Sequence, residues 1–203
     1  VTGLELDPIM IENATKFLTP FLDNKRMTLV HGSLFNSGLP DATFDFAIAR
    51  YVFQHLSDPV GAAREIRRLL KPGGKFVIHD IDDASHLFDP KPSPEVEAID
   101  ARFLDEHKEK GGDRLVGRKL LRILREAGFT APTLQLIPIH SDEYGMDTIF
   151  PVTGSEALKA SLEEGKITQA EYEIMLDADA KSRSPEAITL LVLYLACGTN
   201  PTE

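Results

Sequence analysis

The most constraining feature of this sequence is an alternation. Between Val1 and Asp82, short β-rich runs are separated by helices that start the same way twice. Asp7-Pro8 and Asp58-Pro59 each set an N-cap aspartate before a proline at the first helical position, where the missing N–H costs nothing. Ahead of the first stands "VTGLELDP" (Val1–Pro8), a strand running directly into a helix start. Met10, Ala14, Phe17 and Leu18 then fall at i, i+4, i+7 and i+8, the stripe of an amphipathic helix. "MTLVHG" (Met27–Gly32) and "TFDFAIAR" (Thr43–Arg50) read as strands. The second helix presents Ala63, Ile66, Leu69 and Leu70, and Lys71-Pro72-Gly73-Gly74 stops it, because a residue before proline avoids the α region. "KFVIHDID" (Lys75–Asp82) is a strand that turns acidic at its end. Strands alternating with helical crossovers predict an α/β fold, doubly wound on a mostly parallel sheet covered on both faces.

Ligands of such sheets bind at the carboxyl ends of the strands. That rule selects Glu5, His31–Leu34, Ala49–Phe53 and His79–Asp83. Beyond Asp83 the pattern loosens. "DPKPSPEVE" is proline-rich, and a charged helical stretch follows to Gly111-Gly112. "VGRKLLRILREAGF" (Val116–Phe129) is a helix with a glycine stop, and "PTLQLIPI" (Pro132–Ile139) is a strand. Ser155 caps a helix ending near Gly165, and Thr168 with Glu171 has capping-box spacing for another. "AITLLVLYLACG" (Ala187–Gly198) closes as a buried strand. Residues 84–112 and 140–184 therefore read as helical lid insertions of a single domain spanning 1–203.

Charge narrows the partners. A formal net charge of −10 disfavours nucleic acid and anionic membrane surfaces, both of which bind through Lys and Arg. Cys197 is the only cysteine, so no internal disulfide forms, which fits a reducing, cytoplasmic setting. It lies in an apolar run and reads as a small core residue. The longest apolar run, Ala187 to Cys197, is shorter than the roughly 20 residues of a membrane span. No signal peptide is recognisable.

From "FDFAIARYVFQHLSDPVGAAREIRRLLKPGGKFVIHD" onward the chain resembles the class I S-adenosylmethionine-dependent methyltransferases. It is most similar to the small-molecule branch that includes the ubiquinone/menaquinone-biosynthesis-type enzymes. The strand Phe44–Arg50, the segment His55–Pro59, the helix Val60–Leu70 and the "LKPGG" turn (Leu70–Gly74) follow that family's order. "LREAGF" (Leu124–Phe129) and the final "ACGTNP" match as well. The resemblance covers nearly the whole chain and implies a Rossmann-like fold. It further implies S-adenosyl-L-methionine as cofactor and methyl transfer to a small-molecule acceptor by direct displacement.

Carried over residue by residue, "VTGLELDP" resembles the family's second strand. Glu5 then stands where an acidic residue accepts both ribose hydroxyls of the cofactor, with Leu6 beside it. A carboxylate is an acceptor-only group able to take two donors. "HGSLFNSGLP" resembles the segment whose aspartate contacts the adenine amino group. Ser33 occupies that position here, next to Leu34, and offers an uncharged acceptor. Ala49, Arg50 and Tyr51 match the segment after the fourth family strand that holds the methionine moiety.

The family's glycine-rich "DxGxGxG" loop, which lets backbone approach cofactor closely, is not found in the 203 residues. The chain is thus read as a domain lacking the family's first strand and loop at its N-terminus. "LVLYLACGTN" (Leu191–Asn200) resembles one form of that loop and would imply circular permutation. Tyr194 and Asn200-Pro201 depart from the loop pattern, so the ordinary last strand is the preferred reading. The competing functional reading is a non-catalytic Rossmann-like interaction module, unable to bind cofactor and stabilised as a homodimer. His55, His79 and His140 are the imidazoles nearest the site segments, each read as structural, and no catalytic base is assigned. "HDIDD" (His79–Asp83) is compatible with a divalent cation, but acidic strand ends are common in such folds and no metal is assigned.

Overall fold

The computed structural model describes residues 1–149 and 155–202. Strand β1 (Thr2–Glu5) leads into helix α1 (Pro8–Asp23) and strand β2 (Thr28–His31). Strand β3 (Phe44–Arg50) follows, then a 3₁₀ turn at Phe53–His55, helix α2 (Pro59–Leu69) and strand β4 (Leu70–Ile81). A further 3₁₀ turn at Asp83–Ser85 precedes the short strand β5 (Leu87–Asp89) and helix α3 (Pro94–Glu109). Helix α4 (Leu120–Glu126) and strand β6 (Thr130–His140) come next. Helices α5 (Ser141–Tyr144), α6 (Met146–Ile149), α7 (Ser155–Glu163) and α8 (Gln169–Ser182) then precede the last strand, β7 (Ile188–Thr199).

The helix starts are as the sequence dictates. Asp7 accepts the Ile9 N–H at 2.7 Å and Asp58 accepts the Gly61 N–H at 2.8 Å, each ahead of a proline. Thr168 and Glu171 close a reciprocal capping box on α8. Such caps satisfy amide donors that have no partner inside the helix.

Two sheets result. β1 and β2 pair in parallel, with Glu5 opposite His31. The larger sheet runs β3–β4–β7–β5, with β6 also on β7. β3 and β4 are parallel, placing Ala49 opposite Ile78 and Arg50 opposite His79. Its core gathers Ala49, Phe76, Ile78 and Ala196 from the strands against Ala62, Ala63 and Ile66 of α2 and Leu120, Ile123 and Leu124 of α4. The opposite side of β3 leaves Phe46 55% and Ile48 61% exposed.

Several expectations need correction. The parallel arrangement holds for the crossover-linked pairs β1–β2 and β3–β4, whereas β7 pairs antiparallel with β4, β5 and β6. The reason lies in how the chain re-enters the sheet. The Thr189 N–H donates to Ser141 Oγ at 3.0 Å, so the segment after β6 returns to where it left and must run back along it. β7 is an interior, antiparallel strand bonded to β4, β5 and β6, which supports the last-strand reading over permutation. The stripe on α1 holds at Ala14 and Leu18 but not at Met10 and Phe17. Met10 and Phe17 are 49% and 85% exposed, while Ile11, Ala14, Leu18 and Leu22 form the half-buried side. "LKPGG" is no simple turn either. Leu70 lies opposite Phe44 and Lys75 opposite Phe46, so Lys71–Gly74 bulges out of β4. The helix expected over 116–129 is a 3₁₀ turn at Gly117–Lys119 followed by α4. β5 was not foreseen, and residues 150–154 of the expected 140–184 lid lie outside the described residues.

Candidate cofactor and acceptor site

Parallel strands deliver their carboxyl ends to one edge of the fold, and the expected residues sit there. Glu5 ends β1, and its Oε1 accepts the N–H groups of Leu6 and Asp7 at 2.8 and 3.0 Å. Its second carboxylate oxygen adds acceptor capacity. Leu6 is 64% exposed, and its carbonyl meets His31 Nε2 at 2.9 Å. Gly32 N–H donates to the Glu5 carbonyl at 2.9 Å, which draws the β2 end against the β1 end. A Cβ at Gly32 would come within 3.0 Å of the Leu4 side chain and 3.4 Å of the Ser37 carbonyl, so a larger residue would fit only if Leu4 shifted by a few tenths of an ångström. Ser33 follows, its Oγ accepting the Phe35 N–H at 3.2 Å. Leu34 packs against the main core.

The second group ends β3. Ala49 is buried, and Arg50 lays its guanidinium 4.8 Å from the centre of the Tyr51 ring. Tyr51 adopts φ +55°, a strained left-handed conformation for a side-chain-bearing residue. Its N–H donates to the His79 carbonyl at 2.8 Å, and its ring lies 5.0 Å from the His79 ring. Burial, and then the charge of Arg50, lowers the His79 pKa.

Glu5, Leu6 and Ser33 are thus together, as are Ala49, Arg50 and Tyr51, but the two groups stand on separate sheets. A polar clasp holds the linker between them to α2. Glu65 Oε1 accepts the Ser37 N–H and hydroxyl at 2.9 and 2.6 Å, and Arg68 joins Glu65 at 2.7 Å and pairs with Asp41.

The acidic end of β4 is committed to structure. Asp80 is wholly buried and accepts the Phe53 and Gln54 N–H groups at 2.8 and 3.3 Å. Burial raises its pKa against those hydrogen bonds. Asp82 pairs with Arg118. Among the described residues, no group of three or more His, Cys, Asp or Glu is placed to hold a metal ion.

Sequence reading selected Asp83 and His55 but missed their partners Arg114, Gln54 and His107. Arg114 spans Asp83, with Nε 2.8 Å from Oδ2, and Gln54, with Nη1 2.7 Å from Oε1. His107 Nε2 meets the Gln54 carbonyl at 2.8 Å and its ring lies 5.1 Å from His55. Burial, then His107 and Arg114, lowers the His55 pKa. Arg114 and Asp83 are separated by 31 residues, so no local pattern announces them. The cluster opens into a cavity of about 1150 Å³ between the Asp83–Asp89 segment, α3, α7, α8 and the start of β7. His140, by contrast, lies at the end of β6 and pairs with Glu143.

An α/β fold of crossover-linked parallel strands, with acceptors and glycine contacts at their carboxyl ends, is Rossmann-like. Residues 1–78 match the methyltransferase domain family. The chain is 33% identical over 141 residues to an uncharacterised 37.1 kDa protein of transposon TN4556 from Streptomyces fradiae, covering 70% of this chain and 39% of that protein. It is 36% identical over 77 residues to a demethylmenaquinone methyltransferase of Staphylococcus epidermidis, covering 38% of this chain and 31% of the enzyme. The fold resembles phosphoethanolamine N-methyltransferase 2 of Haemonchus contortus, solved with phosphomonomethylethanolamine and S-adenosylhomocysteine. That likeness has a TM-score of 0.57 at 15% identity and covers 99% of this chain and 44% of the other. The chain spans about two fifths or less of the curated relatives it matches. No described helix is long and apolar enough to cross a membrane.

Proposed function

We propose that this chain forms the cofactor- and acceptor-binding part of an enzyme that methylates a small molecule with S-adenosyl-L-methionine. The observation that carries the reading is the placement of Glu5, Ser33 and Ala49–Tyr51 at strand carboxyl ends within the matched residues 1–78. The residues fit the group. Glu5 accepts the ribose hydroxyls, Ser33 accepts from the adenine amino group with Leu6 and Leu34 against the ring, and Arg50 pairs with the amino-acid carboxylate. The cofactor supplies an electrophilic methyl group on a sulfonium.

The protein's own task is alignment, since direct displacement gains chiefly from proximity and orientation. Tyr51 and the turn held by Asp80 present backbone at the β3 end, and segment 84–112 with the described residues of 140–184 forms the acceptor side. The cavity is of the size that encloses small organic ligands. The single cysteine favours a reducing, cytoplasmic setting.

Calorimetric titration with S-adenosylhomocysteine tests this reading, with saturable binding expected. A flat titration across the millimolar range would instead favour the non-catalytic interaction module.

A further inference from the structure

One wall of the cavity beside the β4 end is a single face of α3. Val96, Asp100, Phe103, Leu104 and His107 all line it, and their spacing is that of one side of a helix. Phe88 from β5 and Ile174 and Met175 from α8 face them across about 1150 Å³. An aspartate thus stands in the middle of a stripe that is otherwise mostly apolar. A carboxylate without a partner is costly in such surroundings, so Asp100 is a poor choice for packing alone.

Charge around the cavity is not balanced within the protein. Among the described residues that line it, Arg114 is bound to Asp83 and Lys181 to Asp177, while Asp179 is paired with Arg183. That leaves Asp89, Glu95 and Asp100 against Lys91 alone. Glu95 is engaged by the Ser93 side chain. Among the described residues, no ion pair or hydrogen bond is made to the Asp100 carboxylate. Arg114 cannot turn to it, because Asp83 and Gln54 already hold its guanidinium at 2.8 and 2.7 Å. Asp100 is exposed enough for a ligand to reach, yet desolvation, and then the charge of Asp83, raises its pKa. A cation placed beside it would relieve both effects.

We infer that this cavity binds an apolar amine, its protonated nitrogen paired with Asp100 and its hydrocarbon body against Phe103, Leu104, Ile174 and Met175. As an assignment of the methyl acceptor, the inference rests on the methyl-transfer reading; as a binding site it needs no cofactor. An ammonium group brings donors and a charge to an acceptor-only carboxylate, and hydrogen bonds between charged groups are stronger than neutral ones. An alcohol of the same body would gain no such pair, and a carboxylic acid would meet the excess of negative charge.

The test titrates 4-phenylbutylamine, 4-phenylbutanol and 4-phenylbutyrate into the protein by calorimetry at pH 7 and fixed salt. The three share a body and differ only in the head. The amine is expected to bind about tenfold more tightly than the alcohol, and the butyrate more weakly than either. In Asp100→Asn the advantage of the amine is expected to fall below about threefold while the affinity for the alcohol is unchanged, which also shows that the cavity is intact in the variant. Glu95→Gln, a loss of charge elsewhere on the wall, is expected to keep most of the advantage. Equal binding of amine and alcohol, tighter binding of the butyrate, no binding of any of the three, or an amine preference that survives Asp100→Asn would overturn the assignment. S-adenosylhomocysteine titrated separately reports on the other reading. Its failure to bind beside an intact amine preference overturns methyl transfer and leaves the amine site, whereas its binding without an amine preference overturns the amine site alone.

Discussion

Arg118 grips Asp82 with Nε 2.6 Å from Oδ2 and Nη2 2.6 Å from Oδ1, and its own N–H donates to the same carboxylate at 3.1 Å. Asp82 is wholly buried, while the Arg118 side chain is 51% exposed. Removing one partner of a buried pair strands a charge at a cost of roughly 3–5 kcal/mol. Here water reaches the arginine, so Arg118→Ala should cost about 2 kcal/mol, below that range for fully buried pairs. Urea denaturation of the single and double variants, with Asp82→Asn as partner, checks the coupling.

Acid should loosen the clasp between α2 and the linker after β2. The Arg68 hydrogen bond is the main cause that holds Glu65 at about 2, from a model-peptide value of 4.5. Its folded pKa is depressed, so its contribution is present above the unfolded value and is lost as pH falls from about 4.5 towards 2. Asp82 acts in the same sense, since its hydrogen bonds from Arg118 outweigh the opposing effect of burial. Thermal melts between pH 6 and 2 should show a falling midpoint, and Glu65→Gln should flatten the lower part of that profile.

Asp80 holds the turn after β3 through acceptors alone. Asp80→Ala leaves the buried Phe53 and Gln54 amides without partners, at about 1–3 kcal/mol for each such group. We expect a loss of about 3 kcal/mol, given that the two bonds differ in length. Hydrogen exchange at Phe53 and Gln54 should accelerate more than exchange in β6.

Glu5→Ala should weaken S-adenosylhomocysteine binding by about 10- to 100-fold, because hydrogen bonds to a charged acceptor contribute about 1.5–3 kcal/mol. Glu5 also caps Leu6 and Asp7, so Glu5→Gln serves as the milder variant, keeping one acceptor. Calorimetry at fixed salt decides; an unchanged affinity in both variants would remove Glu5 from the site.

Two glycines separate crowding from backbone strain. A Cβ at Gly117 would lie 2.8 Å from the Ile81 carbonyl and 2.9 Å from Asp82 Cβ, so Gly117→Ala should cost about 2 kcal/mol by overpacking. Gly165 has open space around it but φ +70°, so Gly165→Ala should cost about 1 kcal/mol through conformation alone. Chemical denaturation of both variants measures the difference.

Local signals in the chain were legible wherever the physics is local. Asp7, Asp58 and Thr168 cap their helices because a short acceptor side chain reaches an amide two or three residues on, whatever lies elsewhere. Ala63, Ile66 and Leu69 fall on one face because the helix has a fixed period. Glu5, Ser33 and Arg50 could be placed at strand ends for the same reason. What escaped was phase and direction. Nothing in α1 itself distinguishes a face that runs from Ala14 and Leu18 to Met10 and Phe17 from one that runs to Ile11 and Leu22; contact with β1 and β2 selects the second.

By itself, then, the sequence determined the order of most strands and helices, their caps, the resemblance to methyltransferases and which residues end the first strands. Only the tertiary structure decided that β7 runs antiparallel, that Leu70 already belongs to β4, and that His86, Asp83, Arg114 and Gln54 line up beside an apolar cavity. These residues are brought together by packing of segments far apart in the chain. Their pairings depend on distances that no local period encodes.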